Sequence, residues 1–134
     1  MTKTLLIVDD ALIIREIVKE TAIAAGWEIA GEAINGQEAI DLYLKLKPSA
    51  VTLDMVMPEY DGIHALRGIM EADPEAKILV LSALDQKTVL QQAFKLGASD
   101  FIVKPFNKGR LVESLECLVL EGENIPTTET NTIA

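Results

Sequence analysis

Leu5-Leu6-Ile7-Val8-Asp9-Asp10 decides the fold class: four apolar residues end abruptly in two acids. A short run that is apolar throughout, with no polar alternation, suits a strand covered on both faces. Similar runs recur at Trp27 to Ala30, Val51-Thr52-Leu53, Ile78 to Leu81 and Phe101-Ile102-Val103, about 23 to 27 residues apart. The segments between them carry helical periodicity. Ile14, Ile17, Val18, Thr21 and Ala25 form one apolar stripe, with Gly26 suited to end the helix in a left-handed conformation. Asn35 and Glu38 have capping-box spacing ahead of Ala39, Leu42, Tyr43 and Leu46, with Pro48 behind. Asp61-Gly62 opens a third helix through Leu66, Ile69 and Met70, stopped at Asp73-Pro74. Asp85 caps a fourth, with Val89, Leu90, Ala93 and Phe94, then Gly97. Asn107 opens a fifth, with Leu111, Leu115, Leu118 and Val119, closed by Gly122.

Five strand–helix units in succession predict an α/β fold, a (βα)5 doubly wound, five-stranded parallel sheet with right-handed crossovers. The 134 residues are enough for one such domain. Residues 1–121 form it, and residues 122–134 read as a polar mobile tail with four Thr, two Glu and no aromatic. Lys plus Arg number 12 against 21 Asp plus Glu, a net charge of −9. That sign repels phosphate backbones, so direct nucleic-acid binding is not expected. No apolar run approaches the roughly 20 residues of a spanning helix, and the N-terminus lacks a signal-peptide pattern. Cys117 is the single cysteine, which excludes an internal disulfide and reads as a buried thiol in the last helix. The expectation is a cytoplasmic, monomeric protein without membrane insertion.

In an open α/β sheet, sites form beyond the carboxyl ends of the strands. Here those ends carry Asp9-Asp10, Asp54, Ser82 and Lys104-Pro105. If the first and third strands are neighbours, three carboxylates share one crevice and need a counter-charge. A hard divalent cation such as Mg2+, which takes oxygen ligands, would supply it. Asp10 alone could equally cap the first helix. A turn of Asp9-Asp10-Ala11 is no phosphate cradle: two acids repel a phosphate unless a metal stands between. This disfavours a flavin or nucleotide protein of the same fold. His64, with no second His or Cys near it in sequence, reads as a lone exposed histidine. Trp27 reads as packing.

In this order and spacing, Leu6-Ile7-Val8-Asp9-Asp10, Leu53-Asp54-Met55-Val56-Met57-Pro58, Asp61-Gly62, Ser82-Ala83, Gly97-Ala98 and Asp100-Phe101-Ile102-Val103-Lys104-Pro105-Phe106 resemble the receiver domain of two-component response regulators. The likeness spans about residues 4 to 120. Met57-Pro58-Glu59 and the lack of an output domain make it most similar to the single-domain chemotaxis branch.

The resemblance implies a flavodoxin-like strand order 2-1-3-4-5. It implies that Asp54 accepts a phosphoryl group from a histidine kinase, and that Asp9, Asp10, Asp54 and the Val56 backbone carbonyl hold Mg2+. Ser82 would bond a phosphoryl oxygen, and Lys104 would pair with Asp54 and then with the phosphoryl group. Ser82 and Phe101 would act as the switch. The fourth helix, fifth strand and fifth helix would then bind a downstream protein near Gln91, Lys95, Lys108 and Arg110. A cis Lys104-Pro105 bond belongs to the same pattern. Val56 and Leu84, two residues after Asp54 and Ser82, would flank the approach of hydrolytic water; both are apolar. The domain would not be an enzyme toward a separate substrate. Two other readings stand beside this one: an unphosphorylated interaction module of the same fold, and a receiver cut from a longer regulator.

Overall fold

The computed structural model describes residues 2–57, 61–83 and 87–123. The elements alternate strictly: β1 (Thr4–Val8), α1 (Leu12–Ala24), β2 (Glu28–Ala33), α2 (Gly36–Leu46), β3 (Ala50–Asp54), α3 (Gly62–Ala72), β4 (Ile78–Ala83), α4 (Lys87–Leu96), β5 (Asp100–Lys104) and α5 (Lys108–Glu123). All strand pairs are parallel, in the order β2-β1-β3-β4-β5. The expected (βα)5 sheet and strand order are therefore present.

Side-chain alternation splits the core into two layers. Leu6, Val8, Val51, Leu53, Ile78 and Val80 face α2, α3 and α4, where Tyr43, Leu66, Ile69 and Ala93 meet them. Leu5, Ile7, Leu79, Leu81 and Ile102 face α1 and α5, against Val18, Ala22, Leu111, Leu115 and Leu118. β1, β3 and β4 are buried on both faces and have no solvent side to encode, which is why their runs carry no alternation. β2, like β5, is an edge strand. It continues through Gly31 and Glu32 to Ala33, three residues beyond the apolar run, paired with β1 along its length and ending in the buried Ala33.

Local signals set the helix ends. Asn35 Oδ1 accepts from the Glu38 amide at 2.9 Å, while Glu38 Oε1 accepts from the Ile34 amide at 2.9 Å. Asp61 Oδ1 accepts from the His64 amide at 3.1 Å, and Asn107 Oδ1 from the Arg110 amide at 2.7 Å. Gly26 and Gly97 take positive φ, +96° and +115°, at the ends of α1 and α4. α1 instead starts at Ala11 with no side-chain cap, so Asp10 is not used as one. The Asp85 cap lies outside the described residues, as do Pro58, Glu59 and Leu84.

Four sequence expectations need correction. Cys117 is exposed: the α5 stripe that meets the sheet is Leu111, Leu115 and Leu118, and Cys117 points off it. Leu46 is also exposed, in the last turn of α2. His64 is half-buried, with Nε2 2.9 Å from Gln37 Oε1 on α2. α5 runs one residue past Gly122.

The start of α3 packs directly on the end of β3 at Gly62. A methyl group on Gly62 would lie 2.5 Å from Met55 Cα and 2.7 Å from Asp54 O, both main-chain atoms that cannot rotate away. Gly62→Ala should therefore destabilise the protein by about 2 kcal/mol, the scale of overpacking. Urea unfolding checks this; an unchanged midpoint would contradict it.

Candidate functional site

Parallel strands end on one side of the sheet, and the strand order decides which ends become neighbours. β1 and β3 are adjacent, so Asp9, just beyond β1, lies beside Asp54, the last residue of β3. Asp9 and Asp54 are buried, with 1% and 6% of their surface exposed, while Asp10 is open to solvent. The three residues offer carboxylate oxygens that all lie within 4.8 Å of one another. Lys104 ends β5 and extends its ammonium across the edge of the sheet. Its Nζ donates to Asp9 Oδ2 at 3.0 Å and lies 3.4 Å from Asp54 Oδ1. The expected pairing with Asp54 is present, but Asp9 is the nearer partner. The Lys104-Pro105 peptide is cis.

Backbone amides complete the corner. Asp9 Oδ1 accepts from the Ala11 amide at 2.9 Å, and Asp54 Oδ1 from the Val56 amide at 3.2 Å. Arg15 on α1 donates from Nη1 to the Asp9 carbonyl at 2.9 Å. Sequence reasoning missed Arg15, because a bond to a backbone oxygen leaves no partner residue type to recognise. Ser82 is buried in β4, one strand from Asp54, and its Oγ donates to the Ala83 carbonyl at 3.4 Å. The Val56 side chain is 54% exposed.

Phe101 sits three residues before Lys104 on β5. Its ring meets Phe94 of α4 edge-on, with centroids 5.7 Å apart, and its carbonyl accepts from Arg110 Nη2 at 3.3 Å. Gln91, Lys95 and Arg110 are exposed on this side, whereas Lys108 lines a cavity with Glu20 and Thr21 of α1.

The donor set fits a hard cation. It is entirely oxygen, and its spread is close to the roughly 4 Å between opposite ligands of an Mg2+ octahedron. Three carboxylates face one ammonium, so two charges stay uncompensated if all ionise. Burial first, and next the Asp9 charge, push the Asp54 carboxyl up to about 6, against the opposing pull of Lys104 and the Val56 amide.

Asp54 thus takes up a proton on folding between its ordinary value of 3.8 and about 6. The folded state loses relative stability as pH rises through that window, and the ionised carboxylate remains a net burden above it. In chelator at pH 7.5, Asp54→Asn should melt above wild type, by a stability difference of up to about 3 kcal/mol. By pH 4 the two should converge. Scanning calorimetry at both pH values checks this; equal melting at pH 7.5 would refute it.

Known proteins share this arrangement of sequence and fold. The response regulator receiver domain family matches residues 5–116. The chemotaxis protein CheY of Thermotoga maritima is 52% identical over 115 residues, 86% of this chain and 96% of its own length. CheY of Listeria monocytogenes is 48% identical over 112 residues, 84% of this chain and 94% of its own. A chain in the crystal structure of the CheX–CheY–BeF3–Mg2+ complex from Borrelia burgdorferi is 31% identical. It superimposes with a TM-score of 0.83, covering 87% of this chain and 89% of that one. A match across most of the length, with relatives this similar, means that the chain belongs to the response regulator receiver domain family.

Proposed function

We propose that this protein is a CheY-like response regulator of chemotaxis. In this reading Asp54 accepts a phosphoryl group from a phosphohistidine of a histidine kinase, and the modified domain changes its binding to a downstream protein. The observation that carries the reading is the Asp54 carboxylate itself: a buried acid at a strand end, 3.4 Å from the Lys104 ammonium and grouped with Asp9 and Asp10. Relatives named chemotaxis protein CheY support the pathway. The complex holding BeF3 and Mg2+ supports the chemistry, because trifluoroberyllate has the shape and charge of a phosphoryl group.

Phosphoryl transfer needs positioning and charge neutralisation more than covalent help. Above about pH 6 Asp54 is ionised and nucleophilic. Among the described residues, its hydrogen bond and its ion pair both engage Oδ1, which leaves Oδ2 to attack. A bond forms between Oδ2 and phosphorus while the phosphorus–nitrogen bond of the donor breaks, and the departing imidazole takes a solvent proton. Lys104 offsets the charge gathering on the phosphoryl oxygens. Asp9, Asp10, Asp54 and the Val56 carbonyl would hold Mg2+, which when bound supplies two further positive charges at those oxygens.

Ser82 would then donate to a phosphoryl oxygen. Phe101 on the neighbouring strand would follow, carrying the change to the face of α4, β5 and α5. Phe101 has no hydroxyl to anchor it, so its packing against Phe94 sets the resting position. A partner that prefers the switched state must, by linkage, favour phosphorylation. The proposed protein works in the cytoplasm as a monomer, with residues 1–121 as the receiver and the remainder a polar tail.

Incubation with a small acyl phosphate and Mg2+, read on a phosphate-affinity gel, tests the reading. Wild type should shift to a slower band. Asp54→Asn and chelator-treated wild type should not, and a shift in either would refute the assignment. The exposed Val56 side chain also predicts a long-lived product, since valine cannot orient a hydrolytic water. Val56→Asn should shorten the half-life of the phosphorylated protein about tenfold, a change of about 1.4 kcal/mol in the barrier. Decay of the purified product in Mg2+ measures it.

A further inference from the structure

We infer that Arg15 is a positioning residue for the acidic corner, holding the Asp9-Asp10 turn in place from behind; the inference rests on reading that corner as an Mg2+ site. Arg15 is a cation in the first turn of α1, just after the Asp9-Asp10 turn, and its guanidinium meets a main-chain oxygen of that turn and a glutamate on β2. Nη1 donates to the main-chain carbonyl of Asp9 at 2.9 Å, and Nε to Glu32 Oε1 on β2 at 2.9 Å. The other Glu32 oxygen takes Lys19 at 2.8 Å. The Arg15 and Glu32 side chains are only 14% and 29% exposed, so this is not a loose surface pair.

The choice of a carbonyl acceptor matters. The Asp9 oxygen belongs to the peptide plane that joins Asp9 to Asp10. Fixing that oxygen fixes the plane, and with it the direction in which the chain sets out toward Asp10. The Asp9 carboxylate is already held by the Ala11 amide and Lys104. Asp10 is exposed, and among the described residues no side-chain hydrogen bond or ion pair holds its carboxylate, so its position follows this backbone. Repulsion among the three acids pushes the turn outward, and Arg15 opposes that push without occupying a carboxylate oxygen. The planar fork of arginine reaches both acceptors at a fixed angle, which a lysine ammonium cannot reproduce.

Charge and geometry predict opposite signs, which makes the test decisive. Deleting a nearby cation strengthens Mg2+ binding through space, whereas loosening the turn weakens it. Calorimetric titration of the full chain with MgCl2 at pH 7.5 compares wild type, Arg15→Gln, Arg15→Lys and Lys19→Gln, each confirmed folded by its melt in chelator. Arg15→Gln and Arg15→Lys should both weaken the Kd about tenfold, the usual scale for groups that orient metal ligands. Should Arg15→Gln fail to fold, Arg15→Lys alone decides, since it keeps the charge and loses the fork. Lys19→Gln, which breaks the Glu32 pair but not the grip on Asp9, should stay within twofold of wild type. An Arg15→Lys or Arg15→Gln Kd equal to or tighter than wild type overturns this inference alone. So does equal weakening in Lys19→Gln. A wild type that binds no Mg2+ overturns the metal-site reading as well.

Discussion

Repulsion among Asp9, Asp10 and Asp54 is the constraint around which the rest of the protein is arranged. No sequence would gather three carboxylates by their own affinity, and two of them are buried where water cannot screen them. What holds them is the scaffold. Parallel pairing between β1 and β3 fixes their backbones from Leu5 to Val8 and from Ala50 to Leu53, through strands whose side chains are almost fully buried on both faces. Among the described residues, Lys104 supplies the one cation that reaches both buried acids. Burial and then the Asp9 charge still push the Asp54 carboxyl up, against the pull of Lys104. A stable sheet thus holds a charge arrangement that is unfavourable in itself, and such stored tension is common where binding or chemistry occurs.

The same scaffold divides its labour. The layer under α2, α3 and α4 joins the core to the Phe94–Phe101 contact, while the layer under α1 and α5 backs the acidic turn through Arg15. A change at Asp54 therefore has two mechanical neighbours. One, through β4 and β5, leads to the exposed face of α4. The other, through β1, leads to the half-exposed Glu32 on the edge strand.

Much of this was legible in the sequence because the signals were local. Continuous apolar runs marked β1, β3, β4 and β5, and Asn35, Asp61 and Asn107 marked helix starts through side chains that bond three residues ahead. Asp9, Asp10, Asp54 and Lys104 were legible as strand-end residues, and the structure brings them together. What local pattern could not supply was order: only the family resemblance, not periodicity, put β1 between β2 and β3. Burial at helix margins was equally illegible. Cys117 lies next to Leu118 in sequence but off the buried stripe, and His64 gains cover from Gln37, a residue on another helix. Arg15 stayed hidden because its partner atom is a main-chain oxygen that every residue type carries.

The parallel sheet also gives the molecule a spare end. Every strand enters from the edge opposite the acids, so the loops at Gly26, Lys47 to Ser49, Asp73 to Lys77 and Gly97 to Ser99 lie a full strand length from the chemistry. They are bound into the fold by backbone turns, by side-chain contacts such as Ser49 with Thr4 and Tyr43 with Asp73, and by the buried Ala76. Chain inserted between Pro74 and Glu75, both exposed and just ahead of the buried Ala76, would lengthen the protein without disturbing strand register, as surface loops generally allow. That turn is the natural place to graft a fluorophore tag or a tether for single-molecule work, and to join this domain to another without silencing either.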